Sequence, residues 1–217
     1  MKTYICIIVL VIVISVGLIL EGCSSQNPPI PVRDFFRANE SPESGYGAYG
    51  YLLFTRRPDS SNLGRYKKVC MSFMGDLESV TEIGPYPKHS LMVTYWLVDS
   101  LVNLRRDSHN CDSLLAHYNY PKATIFLAQI KKLSVTGPVL LAFSSPPQTD
   151  STLSDALVLD MSNFADEDID MAFSIWKDRI TRDPDGWNNG FTVNKLIYEF
   201  RSLINKYGQQ ILDIFKS

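Results

Sequence analysis

LMVTYWLV, Leu91–Val98, is the stretch on which the fold turns. It carries no charge over eight residues, and its Val, Thr, Tyr and Trp side chains suit a pleated surface. Its apolar character does not alternate, which predicts a strand covered on both faces, central in a sheet. Such a strand needs neighbours. Residues 51–54 (YLLF) read as one, stopped by the Arg56-Arg57-Pro58-Asp59-Ser60 break. Residues 139–143 (VLLAF), behind Gly137-Pro138, read as a second, and residues 156–159 as a third.

Helical spacing fills the intervals. In residues 62–75, Leu63, Tyr66, Val69, Cys70 and Phe73 fall on one face. Asn110 is a candidate cap for a helix over residues 112–117. Pro121, tolerated in a first turn, opens another through about residue 132. Two long amphipathic helices close the chain. Ile169, Ala172, Phe173, Trp176 and Ile180 line the first; Val193, Leu196, Ile197, Phe200, Leu203, Ile204, Tyr207, Ile211 and Phe215 line the second. The expectation is therefore an α/β or α+β layered fold over residues 48–217, with about four strands and four to five helices.

The chain has 217 residues, enough for one domain or two small ones. Its net charge of -2 gives no electrostatic reason to expect a nucleic-acid partner. The 45% hydrophobic content hides a partition, because residues 4–20 (YICIIVLVIVISVGLIL) have no charged side chain and follow Lys2. Leu20-Glu21-Gly22-Cys23 comes next. A basic start, an apolar run and a small residue before a Cys resemble the bacterial lipoprotein signal. Leu20 and Gly22 match the outer lipobox positions, and Glu21 replaces the usual small or apolar residue between them. The resemblance implies loss of residues 1–22, acylation of Cys23, and a bilayer as partner. It places the domain in the cell envelope facing the periplasm, on the outer membrane of a Gram-negative cell because Ser24 is not Asp. The alternative is an uncleaved inner-membrane helix, since 17 apolar residues reach the lower limit for a span. Residues 24–47, rich in Pro, Ser, Asn and Gly, read as a tether that runs from the lipid-attachment Cys23.

Of four Cys residues, Cys6 lies in the apolar run and Cys23 in the lipobox. Cys70 and Cys111 remain, an even pair for a disulfide in an exported domain or else two buried thiols.

The candidate sites are weakly marked. Residues 160–170 are acidic but lack an EF-hand pattern, and they suit a helix N-terminus. No GxSxG or SxxK occurs, and His89, His109 and His117 are scattered. Gly45, Gly47 and Gly50 precede a strand, where a phosphate would meet no helix N-terminus. Trp187-Asn188-Asn189-Gly190 offers a ring beside two amides, or a loop anchor. Asp99, Ser144 and Asp160 follow expected strands and would line a ligand crevice if those strands were parallel neighbours. The motifs predict no metal and no cofactor. The first expectation is a non-enzymatic binding or accessory module with an envelope protein partner; the alternative is an anchored enzyme at Asp99, Ser144 and Asp160.

Overall fold

A computed structural model describes residues 30–182, apart from 102, 105–107, 129–135, 144, 145, 147–156 and 163. The lipobox, the last long helix and the Trp187 turn lie outside the described residues. Six strands form one mixed sheet: β1 (Ile30–Arg37), β2 (Ala48–Phe54), β3 (Glu78–Ser79), β4 (Leu91–Val98), β5 (Pro138–Phe143) and β6 (Leu157–Asp160). Their order is β3-β1-β4-β2-β5-β6. Four helices accompany them: α1 (Leu63–Asp76), α2 (Cys111–Ala116), α3 (Tyr120–Ala128) and α4 (Asp166–Arg182). A 3-10 turn, Lys88–Ser90, leads into β4.

LMVTYWLV is central, as its composition requires: all eight residues of β4 are buried. β1 and β2 flank it, both parallel to it. β5 runs antiparallel to β2, and β6 antiparallel to β5.

Two expectations need correction. Among the described residues the sheet has six strands, where about four were expected. Residues 30–37, read as tether, form β1 and pair with β4 over its whole length. The sheet therefore includes residues that precede residue 48. The prolines misled the reading. Pro31 has no N–H to donate, but it lies at the start of a strand whose outer neighbour, β3, pairs only with Val32 and Arg33. Within β1, Val32 and Phe36 are buried on one face and Arg33 on the other. The Arg33 guanidinium donates to the Leu77 carbonyl and lies 3.8 Å from Glu82.

The two sheet faces differ. On one, Trp96, Phe54 and Tyr118 interlock, with Phe54–Trp96 centroids at 5.2 Å and Trp96–Tyr118 at 5.7 Å. α1 covers this face through Tyr66 and Phe73. α4 is tied to α1 by Asp170, which accepts from Ser72 Oγ at 2.6 Å and pairs with Lys68. A disulfide joins Cys70 of α1 to Cys111, the first residue of α2. Asn110 caps α2, accepting from the Asp112 and Ser113 amides. On the other face, Phe126 of α3 stacks on Tyr51 at 4.7 Å. Gly50 is a close approach rather than a phosphate loop: a Cβ there would meet Thr94 Oγ1 at 2.7 Å.

Candidate functional site

Of the crevice expected from Asp99, Ser144 and Asp160, the described residues are Asp99 and Asp160, and the sheet holds these two apart. Asp99 follows β4 and Asp160 ends β6, both at the carboxyl edge of the parallel strands. β5 runs the other way, so its end, Phe143, lies opposite Tyr49 near the start of β2. Ser144 itself lies outside the described residues. β2 and β5 separate β4 from β6, so three strand spacings, about 14 Å, part the two carboxylates along the sheet. Each closes its own turn. Asp160 accepts from the Ser162 amide and hydroxyl, and Asp99 Oδ1 accepts from the Leu101 amide at 2.8 Å.

Asp99 does have a partner that the scattered histidines hid. Its Oδ2 lies 3.3 Å from His117 Nδ1, and its amide donates to the His117 carbonyl at 2.9 Å. The contact forms because Tyr118 bridges Val98, laying the α2–α3 connection against the end of β4. Both side chains are about one-third exposed. A carboxylate holding one imidazole nitrogen is the orienting half of an acid–base pair. Among the described residues, no Ser, Thr or Cys side chain hydrogen-bonds to the His117 ring.

The surrounding carboxyl edge is largely self-satisfied. Lys122 Nζ donates to the carbonyls of Arg37, Ala38 and Glu40 at 2.9, 3.1 and 3.0 Å. It also stands 3.5 Å from the centroid of Phe36. Arg57 lies over the Tyr120 ring at 5.4 Å.

A second polar group lies on the α3 face, in the segment read as tether and the strands beside it. Asp34, Tyr95 and Tyr51 stand side by side in register on β1, β4 and β2. The hydroxyls of Tyr51 and Tyr95 are buried with no hydrogen-bond partner among the described residues. Burial raises the Asp34 carboxyl; the Phe35 amide opposes the shift, and Glu43 and Glu40 reinforce it. Burial also raises the Tyr95 hydroxyl, reinforced by Tyr46 and Asp34. Over the row, Tyr46 donates to Glu43 at 3.3 Å, and Lys88 pairs with Glu43. Tyr51 and Tyr95 are closed off from solvent and Asp34 is half-buried, so the row is a polar seam inside the α3 face, with no Ser, Thr or Cys in it.

The acidic run behaves as helix-terminal charge. Asp166, Glu167 and Asp168 occupy the first turn of α4. Burial pushes the Asp170 carboxyl up, but bonds from Lys68 and Ser72 hold it below its ordinary value. Among the described residues, no group of three His, Cys, Asp or Glu side chains is placed to hold a metal, and no helix is long and apolar enough to cross a membrane.

Compared with protein families, curated proteins and solved structures, the chain matches none.

Proposed function

We propose that the chain is an envelope lipoprotein, acylated on Cys23, whose α/β domain is a non-enzymatic binding or accessory module on the periplasmic side of the bilayer. The observation that carries this reading is Leu20-Glu21-Gly22-Cys23 directly behind an uncharged apolar run. One feature of the domain supports it. The Cys70–Cys111 disulfide suits an oxidising compartment. Two or more acyl chains give stable anchoring where one is marginal. Replacing Cys23 with Ser tests the reading: the variant should leave the membrane fraction or stall with its signal attached. Unchanged fractionation and unchanged mass would refute it.

The Asp99–His117 pair favours a second reading, an anchored enzyme working at the carboxyl edge. A screen with chromogenic ester and peptide substrates decides between them. Turnover that disappears in His117→Ala would replace the binding reading, and absence of turnover in the native protein leaves it standing.

A further inference from the structure

We infer that the amino edge of the sheet faces the membrane, and that its exposed loop over residues 84–89 rests in the head-group layer of the bilayer holding the acyl chains. The inference rests on the lipoprotein reading and adds an orientation to it. Ile30 pairs with Leu91 at the first position of both strands, and Ala48 of β2 pairs with Met92. β1, β2 and β4 therefore start at one edge, the edge where the chain from Cys23 enters. Residues 24–29 are all that separate Cys23 from Ile30, a span of at most ~25 Å even when fully extended. The carboxyl edge is displaced by the length of β4, ~26 Å for eight residues. The amino edge is thus leashed to the bilayer, and Asp99 and His117 look away from it.

The chemistry of that edge matches the leash. Gly84, Pro85, Tyr86, Pro87, Lys88 and His89 are all exposed, and the Lys88–Ser90 turn runs straight into β4. Tyr86 is 52% exposed, and its amide closes only a local turn onto Gly84. Tyrosine is enriched at head-group depth, where its ring meets acyl chains and its hydroxyl meets water. Pro85 and Pro87 bring no N–H to be desolvated. Lys88 and His89 stand beside Tyr86, where lipid phosphates attract cations. Glu43 offsets the Lys88 charge, so the seat is aromatic first and electrostatic second. At the far edge, Leu101 is 79% exposed just beyond β4, and it serves as the control position.

The test uses the full acylated protein bound to vesicles containing phosphatidylethanolamine and phosphatidylglycerol. An environment-sensitive fluorophore is placed at Tyr86→Cys in one sample and at Leu101→Cys in another. Brominated lipids should quench the label at position 86 several-fold more than the label at 101, and aqueous iodide should show the reverse order. Equal iodide access at both positions, with the protein vesicle-bound, would overturn the orientation and leave the anchor intact. Failure of the native protein to bind vesicles, with Cys23 unmodified by mass, would overturn the anchor and the orientation together.

Discussion

The two ends of the sheet are built from similar residues and finish differently. At the carboxyl edge, polar groups are spent on one another: Asp99 on His117, Lys122 on three carbonyls, Asp160 on Ser162. At the amino edge, six consecutive residues from Gly84 to His89 are exposed, and Tyr86 has only a turn bond to its name. Open α/β sheets usually bind ligands at the carboxyl edge. Here the carboxyl ends of β1, β4 and β2 do lie together, but β5 reverses direction beside β2 and ends at the opposite edge. On the orientation proposed above, the amino end is the one that meets the bilayer.

That contrast presupposes one rigid sheet between the edges, and the largest effect comes from breaking it. Trp96 is fully buried against Phe54, Phe73 and Tyr118. Trp96→Ala should cost about 3–5 kcal/mol in urea unfolding. Replacing both Cys70 and Cys111 with Ala releases a loop with a sequence separation of 41. The chain-entropy treatment predicts a loss of about 4 kcal/mol, read as a lower urea midpoint. Lys122→Met keeps the stem but leaves the carbonyls of Arg37, Ala38 and Glu40 without their ammonium. It should cost roughly 0.5–1.5 kcal/mol, since water can reach these carbonyls, and a neutral result would show that the carboxyl edge is not closed by its own bonds.

Asp34 gives a test by pH. Its pKa is raised in the fold, so the folded state holds this proton more tightly than the unfolded chain does. Its contribution is present below the unfolded carboxyl pKa and is lost as pH rises through the raised folded value, after which it levels off. Asp34→Asn should remove that loss, so its stability relative to the native protein should grow with pH across the carboxylate range. A difference independent of pH would contradict the burial assigned to the row. Smallest of all, Tyr86→Ser should change unfolding stability by no more than about 0.5 kcal/mol. The same substitution should weaken seating on vesicles, which separates a contact residue from a structural one.

The centre of the fold was legible because β4, β2 and β5 are apolar on both faces, a pattern that no solvent-facing element shows. α1 and the Asn110 cap were legible from helical spacing and side-chain chemistry. β1 was not, because a strand beside a two-residue neighbour tolerates a proline at its start and a charged residue on each face. The Asp34 row was lost with it. Asp99 was singled out correctly as a strand-end carboxylate, but its partner was hidden. The approach of His117 depends on Tyr118 bridging Val98, and Tyr118 also bonds the backbone of Leu52 and Phe54 on the next strand. Spacing in the chain carries no trace of that contact. The reversal of β5 left no local signal, since strand direction is decided by the whole sheet.

The central claim is that this domain works at a membrane to which Cys23 holds it. The intact mass of the protein extracted from envelope membranes tests it most directly. The predicted species begins at Cys23, lacks residues 1–22, and carries the added mass of a diacylglyceryl group with or without a further acyl chain. A species with residues 1–22 retained and Cys23 unmodified would contradict it.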